Sequence, residues 1–121
     1  MQTVLLDTDY VIDFLRGKSK IIIPLIQEGS AYLSILSVYE LFAGMRQEET
    51  RATEDFIKAC HIEAVTIEIA KKAGAYRLTH RQNGLTLSIV DCIIAETARL
   101  HHHHIATGNK KHYLNCHFWP H

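Results

Sequence analysis

Short apolar runs that each give way to a helix-period pattern recur along the whole chain, and this alternation limits the folds open to it. Thr3 to Leu6, Ala31 to Ile35, Ile62 to Val65 and His104 to Thr107 read as strands. Between them the spacing predicts helices. One runs from Asp9 or Tyr10 to Arg16, closed by Gly17, and a second is capped by Ser19 and runs through Gln27. A third carries the stripe Val38, Leu41, Phe42 and Met45, and a fourth covers Glu49 to Cys60. Thr66 caps a long helix from Ile67 to Gln82, and a Ser88 helix reaches His101. A helical turn near Lys110 to Leu114 and a last strand at Cys116 to Trp119 close the chain. Strands alternating with helices through short connections predict one α/β domain of 121 residues with a mostly parallel sheet covered on both faces.

Three acids stand out in that frame because each sits where an apolar segment meets a helix: Asp7, Glu40 and Asp91. In such sheets ligands bind beyond the carboxyl ends of the strands, where these residues fall. A simpler reading competes for two of them. Ser37-Val38-Tyr39-Glu40 and Ser88-Ile89-Val90-Asp91 both fit a capping box, in which a Ser caps the helix and the acid three residues on reaches back. Taken singly, each is a capping residue before it is a ligand. Asp91, however, lies among Ile89, Val90, Cys92, Ile93 and Ile94, with no Lys or Arg within a helical turn. A carboxylate buried there needs a partner from elsewhere in the fold.

A cation shared by several acids would be such a partner. Two carboxylates about 5 Å apart repel by roughly 3 kcal/mol at an effective dielectric near 20, and a divalent ion reverses the sign. Oxygen ligands suit Mg²⁺ or Mn²⁺ better than Zn²⁺. Such an ion acidifies a water and stabilises charge on a phosphoryl oxygen, chemistry that fits phosphodiester hydrolysis.

Composition narrows the partners. Lys plus Arg equals Asp plus Glu at 13 each, so any nucleic-acid contact must come from a local patch rather than a global field. Lys110, Lys111 and His112, or Arg77 and Arg81, could supply one if they border the acids; otherwise they are a solvated face. Three widely spaced cysteines without a C-x-x-C pair point to a reducing cytoplasm, and no window approaches the length of a membrane span. His101 to His104 reads as a solvated helix end rather than a metal cluster, and Tyr39, Tyr113, Phe118 and Trp119 as core or dimer contacts. Asp9 reads as the N-cap of the first helix, and Asp13 as a surface residue or a partner of Arg16.

Taken together, Leu5-Leu6-Asp7-Thr8-Asp9, Ser37-Val38-Tyr39-Glu40-Leu41, Val90-Asp91-Cys92-Ile93-Ile94-Ala95 and Ala106-Thr107-Gly108-Asn109 through Tyr113 resemble the ordered motifs of PIN-domain ribonucleases, especially the VapC-type toxins. The resemblance spans essentially the whole chain. It implies a three-layer α/β/α sandwich, Mg²⁺- or Mn²⁺-dependent cleavage of RNA, a homodimer and a cognate antitoxin. By position Asp7, Glu40 and Asp91 match the acidic triad that holds metal, with Thr107 and Asn109 beside them and Lys110 or Arg81 placed for substrate phosphate. Asn109 departs from the fuller pattern, which has an acid there, and an amide brings no charge to a second cation. Two other classes compete. A phosphoacceptor receiver domain expects an acceptor Asp at a strand end and a Lys ending a later strand, whereas here Asp91 opens a helix and no strand ends in Lys; a non-catalytic module that only binds RNA or antitoxin is kept open by Asn109.

Overall fold

The computed structural model describes residues 2–120. Its centre is a four-stranded, fully parallel sheet in the order β3-β2-β1-β4, built from β1 (Val4–Leu6), β2 (Ala31–Ser34), β3 (His61–Glu63) and β4 (His104–Ala106). The first three strands add outward in sequence, and β4 then returns to the other side of β1. The order therefore reverses between β1 and β4, the point where open α/β sheets place their ligands.

Alternation along the strands sets the layers. Val4, Leu6, Ala31, Leu33 and Ala106 form one core with Val11, Leu25, Leu41 and Phe56, contributed by α1 (Thr8–Leu15), α2 (Ile23–Glu28), α3 (Ile35–Gly44) and α4 (Thr50–Ala59). Leu5 and Ile105 point the other way, onto Ile94, Ala95 and Ala98 of α6 (Ile89–His101). Behind it α5 (Ile67–Gln82) packs Ile69 and Ala73 against Cys92 and Ile93. The result is the expected α/β/α sandwich. Among the described residues no helix is long and apolar enough to cross a membrane.

Several boundaries differ from the sequence reading. The helix expected to begin at Ser37 starts at Ile35, because Ser34 ends β2 in extended backbone and its hydroxyl accepts the Leu36 N–H at 3.1 Å. Ser37 is buried inside α3, so Glu40 belongs to no capping box. Asp7, not Asp9, occupies the N-cap position of α1, and its carboxylate makes no capping bond because it is engaged elsewhere. The Ser19 hydroxyl caps only a turn, and α2 opens at Ile23 with Pro24 in its first turn, where a missing N–H costs nothing. Arg16 pairs with Glu49 of the 3₁₀ turn Gln47–Glu49 rather than with Asp13. The last strand shrinks to a single parallel bridge, Ile105 with Phe118. By contrast Thr66 and Ser88 cap α5 and α6 as expected, each accepting the N–H three residues on.

Candidate active site

The parallel register brings the carboxyl ends of β1 and β4 side by side, and the Asp7 N–H donates to the Ala106 carbonyl at 2.9 Å, so the ladder extends one residue past the strands. Asp7 and Thr107 are thereby fixed as neighbours at the switch point. The Thr107 hydroxyl donates to Asp7 Oδ2 at 2.7 Å and accepts the Asn109 N–H at 2.9 Å. Asp7 is only 6% exposed. Burial pushes its carboxyl above the ordinary value; the Thr107 bond pulls it back down, and the nearby charge of Asp91 raises it again.

Asp91 arrives from the first turn of α6. Half of its capping box forms, since the Asp91 N–H donates to Ser88 Oγ at 3.0 Å, but the carboxylate turns to the site instead of reaching back. Its Oδ1 lies 3.0 Å from the Tyr113 hydroxyl and its Oδ2 lies 2.9 Å from His112 Nδ1. The same Tyr113 hydroxyl is 3.2 Å from Asp7 Oδ2. One phenol thus stands between two acids separated by 84 positions, holding their oxygens within two hydrogen-bond lengths of each other.

Glu40 completes the constellation from α3. Thr8, first residue of α1, donates its hydroxyl to Glu40 Oε1 at 2.6 Å and lies 3.1 Å from the buried Ser37 Oγ. Asp7, Thr8, Asp9, Ile12, Glu40, Ser88, Asp91, Asn109 and His112 line one open cleft of about 390 Å³. The acids are therefore collected by the fold as the sequence suggested, with Asn109 on the rim.

Lys110 and Arg81 are not among the side chains lining that cleft. The Lys110 ammonium instead lies over the Phe118 ring, 5.5 Å from its centroid, and Arg81 is exposed near the end of α5. Arg77 is tied down, donating through Nε to the Leu87 carbonyl at 2.8 Å. Sequence reasoning missed Thr8 and Tyr113, and weighed His112 only as part of a basic run. Nothing in the local pattern marks them, because their partners lie 32, 106 and 21 residues away.

Among the described residues no Lys or Arg pairs with Asp7, Glu40 or Asp91; the only ion-pair partner of the three is His112. Nor are three His, Cys, Asp or Glu side chains gathered closely enough to hold an ion alone. An ion in the cleft would therefore draw part of its shell from water, as is common where one or two carboxylates hold a hard cation.

This arrangement has known relatives. The PIN domain family matches residues 4–115. Ribonuclease VapC19 of Mycobacterium tuberculosis is 33% identical over 113 residues, covering 90% of each chain. The chain thus belongs to the PIN-domain family. Among solved structures, DNA-bound VapBC from Salmonella typhimurium is similar with a TM-score of 0.84 at 20% identity, over 98% of this chain and 97% of that one. A toxin-antitoxin complex from Klebsiella pneumoniae is similar with a TM-score of 0.73 at 22% identity, over 93% and 92%.

Proposed function

We propose that the protein is a divalent-cation-dependent endoribonuclease that serves as the toxin of a toxin–antitoxin pair. The observation that carries this reading is the meeting of Asp7 and Asp91 across one hydroxyl, in a cleft where no Lys or Arg among the described residues neutralises them. The identity with a relative named as a ribonuclease supports RNA as the substrate. The likeness to a structure titled a toxin-antitoxin complex supports an antitoxin partner.

Asp7 and Asp91 would hold Mg²⁺ or Mn²⁺. Both hydrogen bonds to Asp7 fall on Oδ2, which leaves Oδ1 for the ion, and each Asp91 oxygen keeps a second lone pair beside its present partner. When bound, the ion would supply an acidified water and charge stabilisation at the phosphoryl oxygens. Glu40, held by Thr8 and lining the same cleft, would orient the attacking water. Asn109 offers the substrate an uncharged amide at the rim. His112, which lines the cleft as Lys110 does not, would meet substrate phosphate first. A homodimer working in the cytoplasm completes the reading.

Cleavage of a structured single-stranded RNA with Mn²⁺ tests it, comparing wild type with Asp7→Asn, Glu40→Gln, Asp91→Asn and Lys110→Ala. Loss of either aspartate should cost about 10²-fold or more, because one strong electrostatic contributor is removed. Wild-type rates in both aspartate variants would refute the site, and a folded wild type that cuts no RNA would favour the binding-module reading. Co-expression of an antitoxin should restore growth where this chain alone arrests it.

A further inference from the structure

We propose that the Tyr113 hydroxyl is a positioning group that holds Asp7 and Asp91 together before a cation arrives, standing in for part of its charge; this rests on the metal reading above. Tyr113 is 1% exposed, and its ring packs in the core cluster of Leu5, Ile94, Ala95, Ala98 and Ile105. From there its oxygen lies 3.2 Å from Asp7 Oδ2 and 3.0 Å from Asp91 Oδ1. His112 meets only Asp91, at Oδ2, and among the described residues no ammonium or guanidinium pairs with either carboxylate, so the two would otherwise push apart.

The backbone is built to keep the phenol there. Tyr76, on α5, donates its hydroxyl to the His112 carbonyl at 2.6 Å and accepts the Leu114 N–H at 3.1 Å. It thus fastens the chain on both sides of Tyr113. The Tyr113 N–H also closes the 3₁₀ turn Lys110–His112 onto the Lys110 carbonyl at 3.0 Å. A residue that only filled the core would have no use for a hydroxyl aimed between two acids.

One phenol has one proton, so Tyr113 can donate to either carboxylate but not to both at once. The strap therefore relieves the repulsion in part and leaves the rest to the cation. It follows that phenol and cation act on the same repulsion, and that their stabilising effects are not additive. Removing the hydroxyl should hurt the cation-free protein more than the loaded one.

Tyr113→Phe keeps the ring and deletes only the O–H. Melting of wild type and variant should be followed in EDTA and in saturating Mn²⁺, with Mn²⁺ affinity measured by calorimetry. The variant should melt about 5 °C lower than wild type in EDTA, but by about half that or less in Mn²⁺, so that its Mn²⁺-induced rise exceeds the wild-type rise. Equal losses in both conditions would overturn the proposal and leave Tyr113 a core residue. A variant that folds only with Mn²⁺ would support it in its strongest form, whereas one unfolded in both conditions would overturn it. If wild type itself does not respond to Mn²⁺, the metal reading fails along with the strap. A wild type that responds, with a variant that responds identically, sinks the strap alone.

Discussion

Two of the clusters of titratable side chains are built in opposite ways. On the flank of β2 and β3, His103 is buried with Thr3 Oγ1 2.5 Å from Nδ1 and Glu63 Oε2 3.2 Å from Nε2. His101 meets the same Glu63 oxygen at 3.1 Å. Tyr32 stacks on His61 and meets His103 at a tilt, with centroids 4.7 and 4.4 Å away, and His61 bonds the Gly29 carbonyl. Here a basic group stands against the acid, and the polar atoms named are matched. In the cleft at the switch point Asp7 and Asp91 meet across one hydroxyl, Asp9 and Glu40 line the same opening, and among the described residues one imidazole but no ammonium or guanidinium pairs with Asp7, Glu40 or Asp91. Polar groups that already have partners hold a structure together; carboxylates brought side by side without a cation leave a place for one.

The contrast can be broken most forcefully by chemistry. Asp91→Asn should lower RNA cleavage by about 10²-fold or more, while Glu63→Gln, which disrupts the matched cluster, should leave the rate within about twofold. A smaller effect is due at the support beneath Asp7. Thr107→Val removes a hydrogen bond to a buried carboxylate, an interaction worth about 1.5–3 kcal/mol, and cleavage should fall by roughly tenfold while the fold survives.

Acid should expose the matched cluster instead. Burial holds His103 below its ordinary value of 6.5; Glu63 pulls it up, while His101 and His102 push it down further. The unfolded chain thus binds a proton that the folded one refuses. This contribution to stability is complete above 6.5 and is lost as pH falls from there toward the folded value. Urea melts at about pH 7.5 and 5.5 should show that loss, and His103→Gln should flatten it. Smallest of all is the surface pair Lys72–Glu68, 3.4 Å apart and more than half exposed on both sides. Glu68→Ala should change stability by less than about 0.5 kcal/mol, since screening and side-chain entropy cancel most of such a pair.

How much of this was legible in the sequence depends on how far each signal reaches. Strand β1 with Asp7 at its end, the Thr66 and Ser88 caps and the Asp91 turn are local patterns, and they read correctly. The register at Ser34 was misread because Ser37, three residues on, offers an equally good cap in sequence; only the end of β2 decides between them. Gathering Asp7 and Asp91 was legible because one follows a strand and the other opens a helix at one edge of a parallel sheet, whereas Glu40 reaches the cleft from inside α3, not from the helix start its Ser-x-x-Glu pattern suggests. The groups that hold them were not. Tyr113 reads as core, and its ring is core, but its hydroxyl serves residues contributed by β1 and α6. The histidine run misled for the same reason: residues 101 and 103 find Glu63 across the sheet, a partner that no local window contains.

The central claim, that the acid cleft is completed by a divalent cation, meets its most direct test in thermal melting with EDTA and with millimolar Mn²⁺. Ligand that binds only the folded state raises its stability by an amount set by concentration over Kd. Wild type and Glu63→Gln should both rise with Mn²⁺, from whatever baseline each has, and Asp91→Asn should not move. Identical wild-type melts in EDTA and Mn²⁺, or an Asp91→Asn rise equal to the wild-type rise, would contradict the account.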